Sequence, residues 1–273
     1  WAGRSTFLIK NKDGLIDIAK KFNNIVKISE FINGITLINN GVVCADGRVI
    51  QSPVGYQLTG ESLLTKLPMS TCGRGWPADI DGQIKKKISK ITIKVGKAIY
   101  KLGFRGFFGL DFILDKNNNL FLLELNPRLT ASFPFYTLLE INRKQTPLLL
   151  YHYQSFLNFK IPKSYPCQIN SLKIVGAEIV QRNIAKGNLK IEKTLLSGNY
   201  NNKKRISSKL MPEKNTYTII APNKKETINF NQEVFKISAK KQFFQKKNNR
   251  IKIKPEISKF LKYIRRTIGP IEQ

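Results

Sequence analysis

Two acidic residues interrupt apolar runs that are separated by a short polar turn. Asp111 lies within the stretch Gly109–Asp115, and Glu124 directly follows the apolar run Leu120–Leu123. A carboxylate in a buried strand costs free energy unless something compensates its charge. Because neither stretch contains Lys or Arg, we infer that the two carboxylates share a cation.

The residues that follow Glu124 extend this group. Side chains alternate along a strand, so Asn126 and an extended Arg128 would share the face of Glu124. An even-membered turn centred on Asn117-Asn118 would place Asp111 directly opposite Glu124. Carboxylate and amide oxygens suit Mg²⁺ (or Mn²⁺) shared with phosphate oxygens, and the planar guanidinium of Arg128 would hold a phosphate. The alternative is an edge hairpin whose acids face solvent, with Arg128 paired to one of them.

The motif resembles the metal-binding end of the ATP-grasp superfamily, which includes biotin carboxylase, carbamoyl-phosphate synthetase and carboxylate–amine ligases. It consists of an acid on one strand and Glu-x-Asn-x-Arg on the next. The resemblance implies that Asp111, Glu124 and Asn126 bind the metal and that Arg128 is catalytic. It also implies an α+β fold, an antiparallel sheet with helices, followed here by a smaller β-rich region. The implied activity is ATP- and Mg²⁺-dependent ligation of small-molecule carboxylate and amine substrates.

The resemblance extends upstream to two further segments. The stretch Ile28–Gly34 resembles the interdomain hinge that recognises adenine, which implies that Glu30 and the backbone of Phe31 and Ile32 meet the base. A surface-facing Glu is the alternative. Gly3, Arg4 and Ser5 resemble the end of the glycine-rich loop that closes over the phosphates, since small residues let backbone N–H groups approach anions. An ordinary turn is the alternative there.

The elements that must position these residues follow from periodicity. A helix is predicted at 13–23 and a longer one at 81–102, where apolar residues recur every three or four positions and Gly103 follows. Strand-like runs at Ile25–Ile32, Ile35–Val43 and Val49–Leu58 predict an antiparallel meander. Residues 59–79 are predicted to be a loop. Within it, Gly73-Arg74-Gly75-Trp76 would approach substrate or phosphate, or would form a plain surface loop with a packed Trp.

Proline positions and charge suggest two regions. We predict an ATP-grasp domain at residues 1–158 and a β-rich basic region of unknown role at 159–273. Complete members of the superfamily have a substrate-side domain and a first ATP-binding lobe before the glycine-rich loop. The resemblance therefore implies an N-terminally truncated chain, a fragment expected to be inactive by itself.

The net charge of +29 raises a rival hypothesis, a basic protein that binds nucleic acid through residues 160–273. That region carries 26 Lys and Arg against 7 acidic residues, but Lys and Asn are abundant throughout and no aromatic stacking motif is evident. We therefore expect the lysines to form solvated faces and do not expect a nucleic-acid partner. The expected partners are small-molecule substrates and a second copy of the chain in a homodimer.

Other features exclude further classes. No apolar run approaches the roughly 18 residues that a membrane span requires. Cys44, Cys72 and Cys167 are widely spaced, which favours a reducing cytoplasm over a disulfide framework or a zinc site. The single histidine, His152, lies in an apolar helical stretch and is expected to be a packed residue rather than a metal ligand.

Overall fold

The computed structural model describes residues 6–22, 25–157 and 174–269. Its helices, in chain order, are α1 (Lys12–Ala19), α2 (Gly82–Lys101), α3 (Phe133–Asn142), α4 (Leu148–Phe156) and α5 (Pro255–Ile268). The strands before residue 158 are β1 (Gly34–Val43), β2 (Val49–Gln51), β3 (Gly55–Thr59), β4 (Thr71–Trp76), β5 (Gly106–Asp115) and β6 (Leu120–Asn126). Those after residue 173 are β7 (Gly176–Arg182), β8 (Leu189–Lys190), β9 (Gly198–Asn201), β10 (Lys204–Ser207), β11 (Tyr217–Ile220), β12 (Thr227–Ile228), β13 (Glu233–Ala239), β14 (Phe244–Lys247) and β15 (Arg250–Ile253).

Most strands belong to one sheet with the order β10-β9-β11-β13-β7-β4-β3-β1-β5-β6, and β2 pairs with the end of β1. Neighbouring strands in this sheet are antiparallel. Two small two-stranded sheets, β8–β12 and β14–β15, lie beside it. An antiparallel sheet with helices confirms the predicted α+β class.

The basic C-terminal region continues the sheet of the N-terminal part. Strand β4 pairs with β7 from Gly73 opposite Ile179 to Trp76 opposite Gly176. The predicted boundary near residue 158 falls in the segment 158–173, outside the described residues. The division into a domain at 1–158 and a region at 159–273 therefore stays a prediction.

Helix α2 covers one face of the sheet beneath β1 and β5. Asp81 caps its start by accepting hydrogen bonds from the N–H groups of Gln83 and Ile84. Its apolar stripe packs with the side chains of β5 that alternate toward it, Phe108, Leu110, Phe112 and Leu114. The long helix predicted from periodicity is thereby confirmed, and α1 confirms the shorter one in part.

Helices α3 and α4 cover part of the opposite face. Phe107 of β5, adjacent to Phe108 and therefore pointing the other way, packs with Phe133, Tyr136 and Tyr151 from these helices. The same cluster includes Trp76 of β4. This packing covers the Phe107 end of the face and leaves Asp111, Ile113 and Asp115 of β5 only partly buried.

Two predicted strands need correction. Residues 25–33 form no strand, and Ile25, Val26 and Ile28 are exposed, because both edges of β1 are occupied by β5 and by β2 and β3. The predicted run Val49–Leu58 is divided into β2 and β3. Pro53, which has no backbone N–H to donate, lies between these two strands.

The predicted loop at residues 59–79 is also wrong in part, since it contains β4 in the middle of the sheet. The glycines that suggest a loop are instead required by packing. A Cβ atom on Gly75 would lie 2.3 Å from Oε1 of Gln242, and one on Gly73 would lie 3.0 Å from the Phe244 ring. The β14–β15 hairpin therefore packs directly on the backbone of β4.

Candidate active site

The β5–β6 hairpin brings Asp111 directly opposite Glu124, by a different route from the one predicted. The turn is three residues long, because Leu114 pairs with Leu120 and the N–H of Asp115 donates to the carbonyl of Asn119. That register alone would place Leu123 opposite Asp111. A β-bulge between Asp111 and Phe112 shifts the pairing by one residue, so that Glu124 replaces Leu123. The predicted even-membered turn is therefore wrong, although the juxtaposition that it was meant to explain exists.

Local hydrogen bonds hold this turn. Asn118 has a φ of 62°, in the left-handed region that asparagine tolerates. The Asp115 carboxylate accepts a hydrogen bond from the side chain of Asn119 at 2.9 Å, which is the main cause of its lowered pKa. It also accepts hydrogen bonds from the N–H groups of Asn119 and Asn117, both at 2.8 Å, which lower the pKa further. The Asn-rich segment thus specifies the end of the hairpin that carries the acids.

The two opposed carboxyl groups have different environments. Asp111 lies partly buried between β1 and β6, whereas Glu124 lies exposed on the edge strand β6. Burial and the charge of Glu124 raise the pKa of Asp111 to about 6, against the opposing effect of Arg128 and a hydrogen bond from Gln57. The edge-hairpin alternative is thus right about the exposure of Glu124, but Asp111 is not a solvated surface acid.

This arrangement fits a divalent cation. Directly opposed acids on neighbouring strands have Cβ atoms roughly 5 Å apart and repel each other. A bound Mg²⁺ would compensate both charges, and Asp111, Glu124 and the amide oxygen of Asn126 would hold it as hard oxygen ligands. Within the described residues no group of three or more His, Cys, Asp and Glu forms a metal cluster, so the site depends on two carboxylates and an amide.

Arg128 is coupled to Asn126. Its η2 nitrogen donates to the side-chain oxygen of Asn126 at 2.9 Å, and its η1 nitrogen donates to the carbonyl of Leu129 at 3.3 Å. Asn126 is buried, whereas Arg128 is exposed and points its charge toward the acids closely enough to lower the pKa of Asp111. The structure therefore brings together all four residues of the predicted motif.

Sequence reasoning missed Gln57, which donates the hydrogen bond to Asp111 from β3. It also placed Arg74 in a loop, whereas this residue lies on β4 opposite Gln57 and only 5% of it is exposed. Both side chains occupy the same face as Asp111, since Gly55 of β3 pairs with Ile38 and Ile38 pairs with Asp111. A polar residue in a strand of apolar neighbours was the signal that could have indicated Gln57.

The predicted hinge lies at the other end of the hairpin. Glu30, Phe31 and Ile32 line a cleft of about 1020 Å³ that Asp115 and Phe121 also line. Asp115 is four residues from Asp111 along β5, roughly 13 Å at the rise of a strand. The hinge segment and the acids therefore lie along one stretch of β5, as an extended nucleotide would require. The predicted glycine-rich loop residues Gly3, Arg4 and Ser5 lie outside the described residues.

His152 takes no part in this site. Its Nδ1 accepts a hydrogen bond from the Phe107 N–H at 3.0 Å, and burial lowers its pKa. It is a packed residue of α4, as the sequence indicated. Among the helices that the structure describes, none is long and apolar enough to cross a membrane.

Comparison with known proteins agrees with this geometry. Residues 3–132 match the family described as an ATP-grasp domain. No curated protein matches the chain.

Three solved structures are similar in fold. The first is biotin carboxylase from Campylobacter jejuni in complex with β,γ-ATP, with 16% identity, a TM-score of 0.52 and coverage of 78% of this chain and 44% of that one. The second is the biotin carboxylase domain of Hydrogenobacter thermophilus 2-oxoglutarate carboxylase, a dimer bound to MgADP, ADP and bicarbonate, with 14% identity, a TM-score of 0.59 and coverage of 88% and 51%. The third is carboxyaminoimidazole ribonucleotide synthase from Aspergillus clavatus complexed with ATP, with 13% identity, a TM-score of 0.56 and coverage of 99% and 60%.

The chain thus spans between 44% and 60% of the length of these three structures. At identities this low, the likeness establishes the fold. The family match covers residues 3–132, a little under half of the chain, and includes the β5–β6 hairpin, so this part of the chain belongs to the ATP-grasp superfamily.

Proposed function

We propose that the chain is part of an ATP- and Mg²⁺-dependent ligase that activates a carboxylate for attack by an amine or a similar nucleophile. The observation that carries the proposal is the direct opposition of Asp111 and Glu124, beside the bonded Asn126–Arg128 pair. Two of the solved structures named above contain MgADP or ATP, which supports the proposal that this chain binds a nucleotide. The dimer named for the Hydrogenobacter thermophilus domain likewise supports our proposal of a homodimer.

The proposed reaction has two steps. An oxygen of the substrate carboxylate attacks the γ-phosphorus of ATP, and the bond from this phosphorus to the oxygen of the β-phosphate breaks. ADP is the leaving group, and the product is an acylphosphate. The amine then attacks the acyl carbon, phosphate leaves, and the amine loses a proton. When bound, Mg²⁺ would neutralise the phosphate charge that develops in the first step.

The chain's own residues would position the nucleotide and the cation and would stabilise the charge on the transferring phosphate. Asp111, Glu124 and Asn126 would hold the cation, and Arg128 would direct its exposed guanidinium to the transferring phosphate. Glu30, Phe31 and Ile32 would receive the base in the cleft near Asp115, and Gly3, Arg4 and Ser5 would cover the phosphates. Since the carboxylate attacks in its ionised form, no general base is required for the first step.

Binding of MgATP tests the proposal without knowledge of the acceptor. We expect calorimetric titration of the chain with MgATP to give saturable binding, and Asp111→Asn or Glu124→Gln to weaken it by at least about 10-fold because a hard ligand is lost. Asp46→Asn serves as the control, since Asp46 pairs with Arg48 at the surface. Equal affinity in all four proteins would refute the metal and nucleotide assignment.

The nucleic-acid alternative can be tested at one basic surface of the C-terminal region. A cleft of about 1170 Å³ between residues 185–193 and α5 is lined by several cations, among them Lys186, Lys190, Lys262 and Arg266. If this cleft bound a DNA duplex, the affinity would fall steeply with salt. Each phosphate contact would lower the affinity by roughly 10-fold for every 10-fold rise in salt concentration. Fluorescence anisotropy in a salt series that starts at low salt measures duplex binding. We expect negligible binding at about 150 mM salt, which is roughly the physiological ionic strength. Tight binding there that Lys262→Glu abolishes would favour the alternative instead.

A further inference from the structure

A buried ion pair connects the C-terminal region to the loop that carries Arg128. Arg74 of β4 is opposite Glu178 of β7 in the sheet, and its η1 nitrogen lies 3.7 Å from Oε1 of Glu178. Only 5% of Arg74 and 8% of Glu178 is exposed. Burial raises the pKa of Glu178, and the charge of Arg74 opposes that rise. Removing two charges from water in this way costs free energy, which their mutual attraction and further hydrogen bonds must offset.

The guanidinium of Arg74 also reaches the 127–132 loop. Its η1 nitrogen donates to the carbonyl oxygen of Ala131. The Nε atom of Arg74 is buried and has no hydrogen-bond partner within the described residues. The Ala131 carbonyl and the Glu178 carboxylate are therefore the groups in direct contact with the charge of Arg74, which also helps to lower the pKa of Asp111 on the same face.

The 127–132 loop is held at three points. At its start, Arg128 bonds to Asn126. At its end, the Ser132 hydroxyl donates to Oδ1 of Asn40 at 3.3 Å. Between them, the Ala131 carbonyl is bound by Arg74. Of these three contacts, the one from Arg74 ties the loop to the middle of the sheet and, through Glu178, to the C-terminal region.

We propose that Arg74 and Glu178 are a positioning pair that holds the 127–132 loop, and with it Arg128 and Asn126, against the metal and phosphate site. Glu178 orients the guanidinium, and the guanidinium fixes the carbonyl of Ala131. The C-terminal region thereby contributes a residue to the active site without touching the nucleotide. The inference rests on the proposed function for its consequence, but the ordering of the loop can be measured without any ligand.

The first experiment is hydrogen exchange on the ligand-free chain. Arg74→Lys keeps the positive charge but removes the planar guanidinium group. Glu178→Gln keeps the shape of the side chain but removes the negative charge opposite Arg74. We expect both variants to speed amide exchange within 127–132 by about 10-fold or more while α2 and β13 exchange as before. Arg105→Lys is the matched control, because Arg105 also donates to backbone carbonyls, but to those of Tyr100 and Phe104 and not to one in this loop. Unchanged exchange at 127–132 in both variants would overturn the proposal.

The second experiment is a double-mutant cycle in MgATP affinity. We expect Arg74→Lys to weaken binding by about 10-fold, as losses of residues that support metal ligands do. In an Arg128→Lys background it should weaken binding by less than about twofold, because its effect passes through Arg128. If the losses of MgATP affinity caused by Arg74→Lys and Arg128→Lys simply multiply in the double variant, Arg74 acts by another route, such as direct contact with the ligand. That result would overturn the positioning role.

The outcomes separate this inference from the proposed function. If MgATP binds and Asp111→Asn abolishes binding, but the cycle shows no coupling, the ligase proposal stands and the positioning pair does not. If no MgATP binds while 127–132 loosens in Arg74→Lys, the pair orders the loop as inferred and the proposed function fails. Should Arg74→Lys fail to fold, Glu178→Gln provides the same two measurements.

Discussion

At the scale of single residues, the carboxyl group of Asp111 must lose its proton before it can bind a cation. Its pKa is raised to about 6 by burial and by the charge of Glu124. Protons would therefore compete with the proposed Mg²⁺ at this group in a pH range that ordinary buffers cover.

We predict that MgATP affinity is constant above about pH 7 and falls by roughly 10-fold per unit below about pH 6, as Asp111 takes up its proton. Glu124→Gln removes the repulsion that raises the pKa of Asp111, so its weaker binding should begin to fall at lower pH. Titration calorimetry from pH 5 to 8 measures both curves. A wild-type curve that is flat down to pH 5 would contradict the prediction.

The residues of this site differ in how far the sequence could predict them. Asp111, Glu124, Asn126 and Arg128 are close in the chain, so strand alternation and one hairpin suffice to bring them together. Gln57, Arg74 and Glu178 reach the same face only because β3, β4 and β7 are neighbours in the sheet. That order depends on pairings between distant segments, which local patterns do not encode.

At the scale of elements, the junction of α3 and α4 contains a carboxyl group with no contact with solvent. Glu140 is 0% exposed, and its Oε2 accepts a hydrogen bond from the Leu148 N–H at the start of α4. Its Oε1 and the nearby hydroxyl of Tyr136 have no hydrogen-bond partners within the described residues. Burial raises the pKa of Glu140 to about 8, so the folded protein holds it protonated at neutral pH.

We predict that this group makes the folded state less stable as pH rises. The unfolded chain releases the proton near pH 4.5 and the folded chain only near pH 8. The free energy of unfolding should therefore decline by roughly 5 kcal/mol between these values, at about 1.36 kcal/mol per pH unit, and level off above them. Urea unfolding at pH 5, 6.5 and 8 measures the decline.

Two variants assign this decline to Glu140. Glu140→Gln cannot ionise and should lose most of the slope, whatever its absolute stability. Tyr136→Phe changes the same helix without removing the carboxyl group and should keep the slope. Equal slopes in Glu140→Gln and the unmodified protein would show that another group causes the pH dependence.

The elements also show where periodicity succeeds and fails. Helix α2 is predicted well because its apolar stripe and its Asp81 cap are local signals. Strand β4 is missed because Gly73 and Gly75 are small for a packing reason, the contact with the β14–β15 hairpin. In the β5–β6 hairpin, the pairing of Asp111 with Glu124 is predicted correctly, but the pairing of the residues between Asp111 and the turn is not. The turn has three residues instead of an even number, and the bulge near Leu123 restores the predicted pairing at Asp111.

At the scale of the whole molecule, the pairing of β4 with β7 joins the N-terminal part to the basic C-terminal region. Trp76 is fully buried at this junction and pairs with Gly176. A Cβ atom on Gly176 would lie 2.5 Å from the Leu139 side chain of α3. The two predicted regions thus share a continuous sheet, which favours unfolding as one unit over independent unfolding.

We therefore predict a single cooperative unfolding transition, in which the fluorescence of Trp76 and the far-UV circular dichroism of the whole chain change at the same urea concentration. Trp1 is replaced by Phe so that Trp76 is the only reporter. Gly176→Val should lower both midpoints together through its clash at the junction, whereas Gly187→Ala, where an added Cβ meets nothing within 4 Å, should leave both unchanged. Two separate transitions would instead show that residues 1–158 and 159–273 unfold independently, because the β4–β7 pairing would then be too weak to couple them.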